Sequence, residues 1–149
     1  MAALVYVNNM SLDGFIEDPS GAPDFFPVDE EVFASHTELL EGASTFLYGR
    51  RLYEAMAVWE TDPALAAQSA PMARFAAAWQ AADKIVCSRT LTTVPTVRTR
   101  IEPCFDPAAV RELKAMADGP IIIGGADLAA QALDAGLVDE CLLYIVPVH

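Results

Sequence analysis

Short apolar runs recur along the chain, each closed by a turn signal and followed by a segment with helical spacing. Leu4-Val5-Tyr6-Val7 reads as a buried strand that ends at Asn8-Asn9 and the turn Ser11-Leu12-Asp13-Gly14. Residues 17–28, rich in Pro, Gly and Asp, read as a loop. Asp29 is placed to cap a helix reaching residue 40, with Glu30 and Glu31 in its first turn and Gly42 as its stop. Thr45-Phe46-Leu47-Tyr48 predicts a strand running straight into Gly49, then a helix over 50–56. Residues 60–71 read as loop with loose helical character, which leaves Trp59 on a loop. A helix is expected over 72–82, with Phe75 and Trp79 four apart on one face. Strands are expected over 84–87 and 97–101, the second nearer the sheet edge. Asp106-Pro107 supplies a cap and a first-turn proline for a helix reaching 117. Residues 120–123 predict a strand, Gly124-Gly125 a turn, 126–135 a helix stopped by Gly136, and 140–148 a long final strand.

Apolar strands alternating with helices predict an α/β fold, a three-layer sandwich with a mostly parallel central sheet. No repeat, low-complexity tract or linker divides the chain, so residues 1–149 read as one domain, of ordinary domain size. A strand signal lies directly against His149, and the expectation is that a C-terminal hairpin is missing or supplied by a partner.

Hydrophobic types make up 54% of the residues, which argues against extensive disorder. The longest apolar runs are too short to span a bilayer, and residues 1–16 lack a basic start and a small-residue cleavage site. Cys87, Cys104 and Cys141 are an odd number in no motif, which suits a reducing compartment; a cytoplasmic protein is expected. The formal net charge is -12, from 21 acidic and 9 basic residues. Such a field repels nucleic acid and anionic membranes, and neither is expected as a partner. It also repels an anionic cofactor, so any phosphate site must be local, and the few arginines become informative.

Three strand-to-helix or strand-to-turn junctions carry that chemistry. In Tyr48-Gly49-Arg50-Arg51, glycine lets backbone approach a ligand, the following helix offers free N–H groups, and Arg50 or Arg51 can add a charge-assisted bond to phosphate. The same residues also suit a tight turn with solvated arginines. Cys87-Ser88-Arg89-Thr90 offers two hydroxyls and a guanidinium to the 2′-phosphate that separates NADPH from NADH. It equally suits an exposed turn whose hydroxyls bond to backbone. Ile123-Gly124-Gly125-Ala126-Asp127 can seat a pyrophosphate at a helix start, or serve as a close turn needing small residues. The spacing of Gly-x-Gly-x-x-Gly and the Lys-Ser/Thr of a P-loop are both missing. All three junctions fall at the C-terminal edge of a parallel sheet, where ligands of open α/β folds bind.

Catalytic candidates are fewer. Asp13 can face substrate or cap its turn, and Asp29 can face a cleft and bond to a nitrogen heterocycle or serve as the helix cap. Trp59 can line a pocket or complete the core. His36 and His149 form no metal or triad set, and no metal site is expected.

Across nearly the whole chain these motifs, in order, resemble the dihydrofolate reductase superfamily. The closer likeness is to its bacterial dihydrofolate-reductase-like branch, related to the reductase domain of the bifunctional riboflavin-biosynthesis protein. The resemblance rests on residues 11–14, residues 48–56 followed by Trp59, residues 86–91, residues 124–128, and Gly136-Leu137-Val138-Asp139-Glu140 leading into Ile145-Val146-Pro147-Val148. It implies a dihydrofolate-reductase-like fold, NADPH as cofactor, and hydride transfer to a small heterocycle, either pteridine- or folate-like or a riboflavin-pathway pyrimidine. It implies that residues Gly49, Arg50, Arg51 and Leu52, with Ser88 and Arg89, hold the adenosine-side phosphates. It assigns the pyrophosphate to the turn formed by Gly124, Gly125, Ala126 and Asp127. Leu52 stands where this motif commonly has threonine, which removes one phosphate donor. Asp13 falls near the substrate cleft of the branch, while the spacing Asp29, Phe33, Thr37 resembles the folate-binding helix of true dihydrofolate reductases. Relatives of the branch are often dimers, and the long last strand needs cover, so a homodimer is expected. The competing class is a non-catalytic nucleotide-binding or structural homodimer of the same fold; a flavin-binding protein using the same cleft is a third.

Overall fold

The computed structural model describes residues 2–11 and 30–146. The described chain runs β1 (Leu4–Ser11), α1 (Glu30–Gly42), β2 (Thr45–Gly49), α2 (Arg50–Met56), α3 (Val58–Thr61), α4 (Pro63–Ala66), α5 (Ala70–Ala81), β3 (Asp83–Cys87), β4 (Thr99–Glu102), α6 (Pro107–Met116), β5 (Ile121–Gly124), α7 (Ala126–Asp134) and β6 (Glu140–Val146). The strands form one sheet in the order β4-β3-β2-β5-β1-β6, and every neighbouring pair is parallel. The expected α/β architecture with a parallel sheet between helical layers is therefore the one observed.

Parallel strands covered on both faces need apolar residues at successive positions, and these strands have them. Phe46, Tyr48, Val86 and Ile122 point to one face and pack with Leu40, Tyr53, Phe75 and Trp79 from α1, α2 and α5. Leu47, Ile85, Ile121 and Ile123 point to the other and pack with Val110, Leu128 and Ala132 from α6 and α7. The predicted pair Phe75 and Trp79 is buried together on α5. Trp79 donates its indole N–H to the Tyr48 hydroxyl at 3.0 Å, deep in the first cluster. Burial drives the Tyr48 phenol far above its ordinary value, so it stays a neutral hydrogen-bonding group.

Several element bounds differ from the sequence expectation, each for a local reason. Helix α5 starts at Ala70 because Ser69 caps it, its hydroxyl accepting from the Met72 amide at 3.2 Å. Residues 58–66 are two short helices, the second capped by Asp62, whose carboxylate accepts from the Ala64 amide. Trp59 is consequently helical, not on a loop. Strand β4 starts at Thr99, not Val97, because the Val97 amide bonds to Glu60 and Arg98 takes φ 53°, a left-handed conformation incompatible with a ladder.

Two lysines are buried where the sequence pattern gave no warning. Lys84 on β3 donates to the carbonyls of Trp79 and Gln80 at 3.2 and 3.3 Å and lies 4.4 Å from the Trp79 ring centroid, tying the end of α5 to the sheet. Burial lowers its pKa. Lys114 on α6 donates to the Leu137 carbonyl and pairs with Asp139, both at 2.8 Å. The same Asp139 oxygen accepts from the Leu4 amide at 2.8 Å, so one carboxylate joins β1, α6 and the entry to β6.

Candidate functional site

The chain leaving β2 enters α2 and packs on one face of the sheet, whereas the chain leaving its neighbour β5 enters α7 and packs on the other. Connections that part between adjacent strands open a crevice at the strands' C-terminal ends. Register brings the three motifs to that edge: Tyr48 lies opposite Gly124, and Gly49 opposite Cys87. The three junctions read from the sequence thus converge.

Their glycines serve different purposes. Gly125 has φ 101°, and a Cβ there would point at the Gly49 amide nitrogen, 3.5 Å away. Gly124 has its missing side chain replaced by a neighbour: a Cβ would lie 2.2 Å from Leu52 Cδ2. Leu52 is half-buried and packs into the first core cluster, so it forms the apolar floor beneath the turn. Gly49 is different. Its φ of -74° and ψ of 165° suit any residue, and a Cβ there would meet nothing within 4 Å. Among the described residues neither backbone nor packing calls for glycine at 49, and the space above it is open.

Two helix starts border that space. Gly49 is the N-cap of α2 and Gly125 that of α7, and neither N-cap residue supplies a side-chain hydrogen bond to its helix's first N–H groups. Arg50 and Arg51 occupy the first turn of α2, where the helix dipole disfavours cations by about 0.3–1 kcal/mol each. Asp127 is exposed in the first turn of α7, which suits the dipole and sets a limit on how close a second negative charge can come. Ala126 begins that helix.

The β3 end adds cations and hydroxyls. Ser88 accepts from the Thr90 and Leu91 amides at 3.3 and 3.1 Å, so its hydroxyl shapes the turn, as one of the two sequence readings held. Arg50 reaches across from α2 to donate to the Thr90 hydroxyl and lies 3.4 Å from Glu54. Arg89 is exposed and makes no ion pair or hydrogen bond with another described residue. Cys87, just before this turn, has its thiol pushed up to about 11, first by burial and then by Glu102 and Cys104, so it is protonated at neutral pH. The three cysteines form no disulfide.

Asp13 and Asp29 lie outside the described residues, as do Pro147 to His149. Trp59 packs against Phe75 with ring centroids 4.5 Å apart and completes the core. His36 sits on α1, its pKa lowered by burial. Among the described residues no three His, Cys, Asp or Glu side chains are grouped to hold a metal ion. The hydroxyl of Thr90 reads from the sequence as a phosphate donor, but its bond from Arg50, which joins two of the three junctions, is a contact that motif spacing alone does not single out. A cavity of about 650 Å³ lies at the opposite edge of the sheet; two of the acids lining it are engaged, Glu41 with Arg74 and Asp83 with Arg98.

Fold and site define an open α/β sheet of dihydrofolate-reductase-like architecture, with a crevice at its switch point edged by arginines and by two helix N-termini that no described side chain caps. The chain belongs to the RibD C-terminal domain family, whose profile matches residues 2–149. It is similar to the crystal structure of a putative riboflavin biosynthesis protein from Shewanella sp. PV-4, with 20% identity, a TM-score of 0.72, and coverage of 99% of this chain and 78% of that one. It is also similar to a diaminohydroxyphosphoribosylaminopyrimidine deaminase/5-amino-6-(5-phosphoribosylamino)uracil reductase from Thermotoga maritima. There the identity is 18% and the TM-score 0.54, and the match covers 89% of this chain and 42% of that one. No curated protein sequence matches the chain. No helix among the described residues is long and apolar enough to cross a membrane.

Proposed function

We propose that this chain is an NADPH-dependent reductase acting on a small heterocycle. The carrying observation is the open space over Gly49, edged by the left-handed Gly125 and two helix starts without side-chain caps. These residues fit a dinucleotide. Backbone N–H groups opening α2 and α7 would hold the pyrophosphate, and Arg89 with Thr90 would hold the 2′-phosphate. The uncommitted guanidinium of Arg89 in a chain of net charge -12 supports NADPH over NADH. When bound, the nicotinamide supplies a hydride to the substrate. The chain's own part is to fix the cofactor's phosphates, to keep Leu52 and Gly124 as a dry floor beneath them, and to orient substrate against the ring.

The T. maritima neighbour's name supports a phosphoribosylated pyrimidine as the substrate class, and a pteridine- or folate-like ring is the other heterocycle the cleft would take. Asp13 and Asp29 are the residues we assign to the substrate side. Strand β6 lies at the sheet edge with only β1 beside it among the described strands, and we assign that edge to a second copy of the chain. Calorimetric titration tests the cofactor: NADPH binds at least tenfold more tightly than NADH, and Arg89→Ala removes the difference. Equal affinity for the two nucleotides, or no binding of either, would overturn the reading.

A further inference from the structure

Because β3 and β4 are parallel, residues 88–98 must return from the crevice edge of the sheet to the opposite edge. This strap begins with the Ser88-Arg89-Thr90 turn and lays Leu91 and Val94 on the first core cluster. One neighbouring segment holds it at both ends. Near the crevice Arg50 donates to Thr90. At the far end the buried hydroxyls of Tyr53 and Thr96 bond at 2.8 Å, and Thr96 bonds onward to Thr99 at 2.7 Å. Glu60 accepts from the Val97 amide at 2.8 Å. The other Glu60 oxygen is buried without a hydrogen-bond partner among the described residues. Such an orphan acceptor is costly, so the carboxylate sits where the strap needs an acceptor and not where its own solvation is best.

Arg50 and Tyr53 are three residues apart on α2, so a single rigid turn of helix spaces the two anchors. We infer that Glu60 and Tyr53 are positioning residues: by pinning the far end of the strap they set where Arg89 stands, and so the preference for a 2′-phosphorylated nucleotide. Neither touches the crevice; they act through the strap. The inference rests on the proposed NADPH site.

The test compares Glu60→Ala, Glu60→Gln and Tyr53→Phe with the unaltered protein, measuring NADPH and NADH affinity and hydrogen exchange of the amides in residues 91–97. Glu60→Ala and Tyr53→Phe are expected to weaken NADPH binding roughly three- to tenfold, the range of coupling through packed networks, with NADH unaffected. Glu60→Gln retains a carbonyl acceptor for the Val97 amide and is expected to restore both selectivity and amide protection. Equal weakening toward both nucleotides, or Glu60→Gln behaving like Glu60→Ala, would overturn the positioning role. If the unaltered protein binds neither nucleotide, the cofactor reading falls. In that case unchanged exchange across residues 91–97 in Glu60→Ala and Tyr53→Phe would overturn the anchoring as well. Should Glu60→Ala fail to fold, Tyr53→Phe, which keeps the ring in the core, decides alone.

Discussion

Replacing Gly49 by alanine separates what the fold requires from what a ligand requires. At φ -74° and ψ 165° alanine is unstrained, and its methyl would meet no atom of a described residue within 4 Å. The cost to stability is confined to the weaker N-cap preference of alanine, about 0.5–1 kcal/mol. Gly125→Ala is the reference: at φ 101° a side chain costs about 1–3 kcal/mol of backbone strain, and its methyl would press toward the Gly49 amide. For a phosphate seated on the α2 and α7 amides, the Gly49 methyl occupies the approach. Losing one charge-assisted hydrogen bond there costs about 1.5–3 kcal/mol, roughly ten- to a hundredfold in Kd. Urea unfolding of both variants and calorimetric titration of Gly49→Ala with NADPH read the two effects separately. The expected pattern is a Gly49→Ala protein nearly as stable as the parent that binds NADPH at least tenfold more weakly. Parental affinity in Gly49→Ala would refute the placement of the phosphates, and a stability loss equal to that of Gly125→Ala would refute the claim that the fold does not need this glycine.

Gly124→Ala places a methyl on Leu52 and is expected to cost about 1–3 kcal/mol through overpacking. Adding Leu52→Ala removes the clash, so a double-mutant cycle should show coupling of about 1 kcal/mol or more, and additive losses would contradict the contact. Asp139 is held below its ordinary value of 3.8, first by Lys114 and then by the Leu4 amide. A depressed carboxyl contributes stability above its unfolded value, and that contribution is lost as pH falls through the folded value. Asp139→Asn should therefore be less stable than the parent near neutrality, with the gap closing below pH 3.8; a gap independent of pH by urea unfolding would count against the ion pair.

What the sequence disclosed follows from locality. Strand β5 was legible because Ile121-Ile122-Ile123 is apolar on both faces, and the junctions were legible because three short glycine- or arginine-bearing motifs each follow an apolar strand signal directly and fall together at one sheet edge. Ser88, by contrast, proved to shape its own turn. Helices α3 and α4 were legible only as loose helical character because four-residue helices lack a periodic signal, and the Asp62 cap and packing on α5 fix them. Lys84 escaped because a lysine in a strand reads as solvent-facing, whereas here its ammonium caps the end of α5. The Leu52–Gly124 contact joins residues far apart in sequence, and no spacing rule announces it. It also gives the leucine at that position a purpose, as packing beneath the glycine turn where the family motif commonly carries a hydroxyl. Asp13 and Asp29, the residues assigned to substrate, lie outside the described residues.

A crystal structure of the protein grown with NADPH tests the central claim most directly. The account predicts the pyrophosphate on the amides that open α2 and α7, beside Gly49 and Gly125, with the 2′-phosphate against Arg89. NADPH bound instead in the cavity at the opposite sheet edge, or lying at the crevice with its 2′-phosphate turned away from Arg89, would contradict it.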